Sequence, residues 1–134
     1  MKRLSAITAW ALLCVPLALG AGGTPKDPET VVVTFHVREG KQADMEKLLR
    51  QDHWTVLRRM DLVFETPHVL VRCAESGGKP CFVEVLTWKS HEIPDNAPPE
   101  VQAIWTRMNE FVEKRDGKPA IEIDEVEPIV PMPR

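Results

Sequence analysis

Apolar and polar positions alternate most clearly between His68 and Trp88, HVLVRCAESGGKPCFVEVLTW, which reads as two strands, Val69–Cys73 and Phe82–Trp88, around a turn of Gly, Ser, Lys and Pro. If Cys73 and Cys81 face each other across this hairpin, Arg72 lies opposite Phe82, Val71 opposite Val83 and Leu70 opposite Glu84. Neighbouring side chains point to opposite faces. One face then carries Val71, Cys73, Cys81, Val83 and Val85, and the other His68, Leu70, Arg72, Phe82, Glu84, Leu86 and Trp88. The first is uniformly apolar and is expected to pack under helices. The second mixes aromatic, aliphatic and charged groups and is expected to line a cavity or an interface.

The same periodicities extend along the rest of the chain. TVVVTFHVR (Thr30–Arg38) is a strong strand, with Val31, Val33, Phe35 and Val37 on one side and Val32, Thr34, His36 and Arg38 on the other. A helix follows from about Lys41, with Met45, Leu48 and Leu49 inward and Lys47 and Arg50 outward. It either continues or breaks and restarts through His53-Trp54, with Val56, Leu57 and Met60 as its later apolar positions. KSHEIPDNAPP after Trp88 is irregular because of its prolines, and Pro98-Pro99 suits the first turn of a second helix. Val101, Ile104, Trp105, Met108 and Val112 mark that helix's inner stripe, while Gln102, Arg107, Asn109 and Glu113 face out. Gly117 is a left-handed cap, and Ala120–Glu127 forms a last strand alternating Ile121 and Ile123 with Glu122 and Asp124. Strand, helix, strand, strand, helix, strand predicts a ferredoxin-like α+β fold: a four-stranded antiparallel sheet with helices on one face and the first strand central beside the third. The other face stays bare unless a second copy covers it, so a homodimer is expected.

Composition refines this picture at the N-terminus. The chain has 134 residues, 43% hydrophobic and 28% charged, which suits one small domain. Lys2 and Arg3 precede an apolar stretch from Ile7 to Leu19, and Ala18 and Gly20 occupy the small-residue positions before Ala21. Residues 1–20 therefore read as a secretory signal peptide rather than as a membrane anchor, which needs about twenty apolar residues, or as a lipoprotein leader at Cys14. Residues 21–29 follow as a flexible Gly/Pro linker, 30–128 as the domain and 129–134 as an extended tail. The protein is thus expected to be exported, periplasmic or extracellular, with no membrane association after cleavage. Losing Lys2 and Arg3 leaves 15 basic against 20 acidic residues, a net charge of −5 with no basic stripe for nucleic acid. Export also leaves an even pair, Cys73 and Cys81, in an oxidising compartment. A disulfide there would stabilise by roughly 2–3 kcal/mol; a free-thiol pair and a two-cysteine metal site are the alternatives.

The first strand beside the third would bring His36 and Arg38 onto the bare face with Glu84, Trp88 and Arg72. As a cavity, His36 would act as base or donor, Glu84 as its orienter, Arg38 or Arg72 as partner of an anionic oxygen, and Trp88 as an aromatic wall. As an interface, the same charges would form a network that sets dimer register. Phe82 and Trp54 complete the ligand-binding candidates, although Trp54 and Trp105 also suit a core. His53, His68 and His91 are too scattered in sequence to argue for a metal site, and no cofactor motif or catalytic nucleophile motif appears.

FVEVLTWKSHE, followed by an amphipathic helix, a turn and a final strand, resembles the dimeric α+β-barrel proteins of the antibiotic-biosynthesis-monooxygenase type, with Trp88, Ser90 and Glu92 at the shared positions. The resemblance covers about Thr30 to Glu127. It implies a homodimer, a pocket between each sheet and its helices with Trp88 nearest to it, and, in some members, cofactor-free oxidation of quinols or aromatic polyketides. Haem-degrading relatives pair that tryptophan with a strand-one asparagine and a helix histidine. Here Thr34 and His36 stand in strand one and Pro98-Pro99 opens the helix, which points away from haem degradation. The expected function is binding of a small aromatic ligand or a partner, with a cofactor-independent monooxygenase acting on quinol or aromatic substrates as the alternative. Which sheet face holds the pocket is left open at this stage.

Overall fold

A computed structural model describes residues 26–129. The expected signal peptide with Cys14, residues 21–25 of the linker and residues 130–134 of the tail lie outside the described residues. The strands are β1 (Glu29–His36), β2 (Val69–Ala74), β3 (Pro80–Trp88) and β4 (Ile121–Val126). A continuous helical stretch between β1 and β2 comprises α1 (Gln42–Lys47), a π-helical turn (Leu48–His53) and α2 (Trp54–Arg59). Between β3 and β4 lie a single turn, α3 (Glu92–Asp95), and α4 (Pro99–Phe111). The sheet runs β2-β3-β1-β4 with every neighbouring pair antiparallel. This is the βαββαβ ferredoxin-like arrangement expected from the periodicities, with β1 central beside β3.

The hairpin register is the one a facing cysteine pair dictates: Arg72 pairs with Phe82, Val71 with Val83, Leu70 with Glu84 and Cys73 with Cys81. Cys73 and Cys81 form a disulfide across Cα atoms 4.9 Å apart. Gly77 and Gly78 make the turn possible, because both sit at positive φ, where a side chain would be strained. β1 starts at Glu29, one residue inside the expected linker, and that residue is buried.

The sheet faces are reversed from expectation. Phe82, Glu84, Leu86 and Trp88 are all buried at 2% exposure or less, and they lie under the helices beside Val31, Val33 and Phe35. Met45, Leu48, Leu49, Leu57, Trp105 and Met108 pack onto them from the helical layer. The valine face is the open one: Val69 and Val71 are each 46% exposed. The reason is apolar area. Burying two phenylalanines, a leucine and a tryptophan removes far more surface from water than burying a row of valines. Glu84 is carried inside with them. One consequence separates two residues expected to cooperate: β1 pairs Val33 with Glu84 but His36 with Cys81, so His36 and Glu84 point to opposite faces.

Two smaller corrections concern the helical layer. The segment after Trp88 is not wholly irregular, because Pro94 fits within the single turn α3, where its missing N–H costs nothing. Asn109 turns inward instead of out and donates to the Trp105 carbonyl at 3.1 Å. Pro98 and Pro99 open α4 as expected, and its predicted inner stripe is buried throughout.

Candidate functional site

The helical stretch neither breaks nor restarts at His53-Trp54; it loosens into a π-helical turn in which the Trp54 N–H reaches back to the Leu49 carbonyl. Such turns are frequent at functional sites because they re-aim side chains without ending the helix. Here the turn buries His53 at 1% exposure and leaves the next residue, Trp54, at the edge of the layer. Trp54 stacks on His68, ring centroids 3.5 Å apart and planes within 6° of parallel. The His68 Nε2 lies 2.7 Å from Glu84 Oε2. A carboxylate accepts, so His68 donates this bond from Nε2.

Behind Glu84 lies a second imidazole. The Trp105 indole N–H, a donor only, gives its hydrogen bond to His53 Nε2 at 3.1 Å. The His53 proton therefore sits on Nδ1, 3.9 Å from Glu84 Oε1. Burial pushes the His53 pKa below its ordinary 6.5, against the pull of Glu84 and with the help of His68, so the ring is neutral. The unfolded chain takes up this proton first. Stability from His53 is thus complete above about pH 6.5 and declines as pH falls below it. Urea unfolding between pH 7.5 and 5 should show this loss. His53→Gln, which keeps an acceptor for Trp105, should flatten the slope, and an unchanged slope would remove His53 as its origin.

A cavity of about 620 Å³ opens beside the stacked pair, between the sheet and the helical layer. Trp54 and His68 form one wall, and Leu70 and Phe82 supply apolar surface from the hairpin. Arg72, Glu46 and Arg50 stand around it. Arg72 holds Glu46 through both its Nε (3.1 Å) and its Nη2 (2.7 and 2.8 Å), and Arg50 approaches the same carboxylate at 3.5 Å. Hydrogen bonding from Arg72 keeps the Glu46 carboxyl below its ordinary pKa, so the lip carries a fixed, charged pair.

Of the residues singled out in the sequence, Trp54, Phe82 and Arg72 line this cavity, and Glu84 stands directly behind its histidine. Trp88 does not line it. It is fully buried further along β3, about 13 Å from Glu84 by strand rise, and meets Trp105 edge-on with centroids 6.3 Å apart. Arg38 lies beyond the end of β1, exposed, with its Nε donating to the Val112 carbonyl at 3.0 Å. His36 is on the other face, with Glu75 2.8 Å from Nδ1 and Glu122 2.6 Å from Nε2. Both of its nitrogens are engaged, so it offers no lone pair to a substrate. The imidazole that lines this cavity is His68, which the sequence pattern did not select.

The His36 cluster has a structural centre that was also missed. Arg115 is 3% exposed and donates to Glu75 (2.7 Å), Glu113 (2.9 Å) and the carbonyls of Pro80 and Val37 (both 2.8 Å). Burial alone would raise the Glu75 carboxyl, but hydrogen bonds from His36 and Arg115 outweigh it and hold the group below 4.5.

No family model and no curated protein matches the chain. Among solved structures, it superposes on the 1.30 Å crystal structure of a Bacteroides thetaiotaomicron protein provisionally named an antibiotic biosynthesis monooxygenase. The match has a TM-score of 0.56 at 12% identity and covers 81% of this chain and 95% of that one. This agrees with the resemblance carried by FVEVLTWKSHE. At such identity the likeness establishes architecture: the chain has the ferredoxin-like α+β fold found in that monooxygenase-like protein.

Proposed function

We propose that this chain is an exported homodimer that binds a small hydroxyaromatic ligand in the cavity beside Trp54 and His68. The observation that carries this reading is the stacked pair itself. An indole and an imidazole stacked face to face, with planes within 6° of parallel and centroids 3.5 Å apart, stand together as a rigid aromatic pair at a cavity of about 620 Å³. That volume is typical of small-molecule sites. Phe82 and Leu70 supply the apolar contact a ring needs, and His68, backed by a buried carboxylate, supplies a hydrogen-bonding group for a hydroxyl. Titration with a naphthohydroquinone should quench tryptophan fluorescence saturably. Trp54→Ala should weaken binding by roughly tenfold or more, in line with the loss of an aromatic anchor. Absence of saturable binding to a panel of hydroxyaromatics would end the proposal.

A second reading is favoured by the His68–Glu84 pair, because an imidazole oriented by a buried carboxylate is a general-base arrangement. With an anthrone-type substrate, His68 takes a proton from the activated methylene. The resulting carbanion reduces dioxygen, one oxygen atom staying as the new carbonyl and the other leaving as water. Oxygen uptake matched one to one with quinone formation supports this reading, and binding without uptake leaves the ligand-binding protein.

The homodimer is supported by the open sheet face. Val69 and Val71 at 46% and Val126 at 37% exposure stand there with Val32, Val83 and Val85 half-buried between them. A contiguous apolar strip of this kind is covered in a stable protein, and a second copy of the same sheet is its simplest complement. Sedimentation at micromolar concentration should give a dimer, and Val69→Lys, on the open face and outside the cavity lining, a monomer that still binds ligand. A wild-type monomer would contradict the dimer.

A further inference from the structure

Among the described residues are two Glu–His–Glu clusters, and they are built differently. Around His36, carboxylate oxygens close to 2.8 and 2.6 Å and every contact is a hydrogen bond. Around His91 the cluster is splayed: Nδ1 is 3.2 Å from Glu29 Oε2, and Nε2 is 3.7 Å from Glu125 Oε1. Glu29 is 97% enclosed, with 3% exposure, yet its Oε2 accepts no hydrogen bond among the described residues, and neither does the buried Oε2 of Glu125. Burial, then the negative charges of Glu125 and Asp95, pushes the Glu29 carboxyl up to about 7. Enclosed carboxylate oxygens without donors are costly unless something positive meets them.

We propose that Glu29, His91 and Glu125 hold a divalent transition-metal ion, zinc being the ion this donor set suits best. One ligand atom from each residue lies within 4.8 Å of the others. A tetrahedral zinc with arms of about 2.0–2.2 Å needs donors about 3.3–3.6 Å apart; His91 Nδ1 stands 3.2 Å from Glu29 Oε2, and the Glu125 carboxylate, 3.7 Å from the opposite ring nitrogen, closes in toward the Nδ1 side when the ion binds. One imidazole with two carboxylates is a borderline donor set that favours zinc over calcium or magnesium, and three protein ligands leave a fourth position for water. Glu29 starts β1, Glu125 lies near the end of β4 opposite Val31, and His91 follows β3, held by its N–H to the Asp27 carbonyl at 3.0 Å. The ion therefore ties three separate segments at the end of the sheet away from Phe82. It stands independently of the aromatic-ligand reading.

The test is calorimetric titration of EDTA-treated full-length protein with zinc chloride, with cobalt(II) absorption in the visible as a second readout. One zinc per chain is expected, with a rise in melting temperature on saturation. Glu29 begins a central strand, so the less enclosed ligands carry the mutational test. Glu125→Gln and His91→Gln should each weaken zinc by roughly tenfold or more and remove the cobalt ligand-field bands. No saturable binding up to millimolar zinc, or affinity unchanged in both variants, would overturn the site.

Discussion

Replacing Arg115 with methionine should lower the unfolding free energy by roughly 3–5 kcal/mol, the scale for breaking a buried ion pair from one side. The substitution removes four donated hydrogen bonds at once. Glu75 and Glu113 lose a charged partner, and the carbonyls of Pro80 and Val37 lose theirs. These groups belong to the β2–β3 turn, the start of β3, the end of β1 and the segment after α4, so the damage spreads across one whole end of the sheet. Arg115→Lys should recover only part of the loss, because an ammonium cannot reach four acceptors in the guanidinium's fixed fork. Urea unfolding at neutral pH measures both. A methionine variant as stable as the parent would mean that the cluster is mere decoration.

Replacing Glu84 with leucine should separate stability from binding. The side chain is fully buried on the core face, and leucine of similar volume removes the cost of enclosing a carboxylate, while its hydrogen-bond partner His68 is part-exposed and can turn to water. Trp105 keeps its hydrogen bond to His53, and His68, 17% exposed at its side chain, can turn toward the cavity. Unfolding free energy should therefore change by no more than about 1–2 kcal/mol. Affinity for a hydroxyaromatic should drop by roughly tenfold to a hundredfold, the equivalent of one charge-assisted hydrogen bond of about 1.5–3 kcal/mol, because nothing then holds the imidazole against Trp54. A variant that loses stability while binding normally would make Glu84 a structural residue only.

Much of the fold was legible because its signals are local. The cysteine pair set the hairpin register, and the proline pair and apolar stripe located α4. The orientation of the sheet was not local. Seen in the hairpin alone, a row of valines looks more like a core than a row containing Arg72 and Glu84. What decides the matter is Phe35 of β1 landing opposite Phe82, a pairing between residues far apart in sequence. His36 stands out in the sequence by its place on a strand, yet both its partners come from elsewhere, Glu75 from the hairpin turn and Glu122 from β4. In the sequence His68 is a lone histidine, because the features that define it, the Trp54 ring and the Glu84 carboxylate, depend on a π-helical turn that no spacing announces. The resemblance to monooxygenase-like barrels implies a pocket with Trp88 nearest to it, whereas the cavity lies beside Trp54 and His68. Its nearest conspicuous group is Trp54 and not Trp88.

The most direct measurement of the central claim is the imidazole proton–nitrogen NMR spectrum, which reports the chain's 4 histidines separately. On titration with a naphthohydroquinone, the His68 resonances should move and saturate while those of His36 and His91 stay in place. A ligand that binds but shifts His36, or leaves His68 untouched, would put the site on the other face of the sheet and contradict the account.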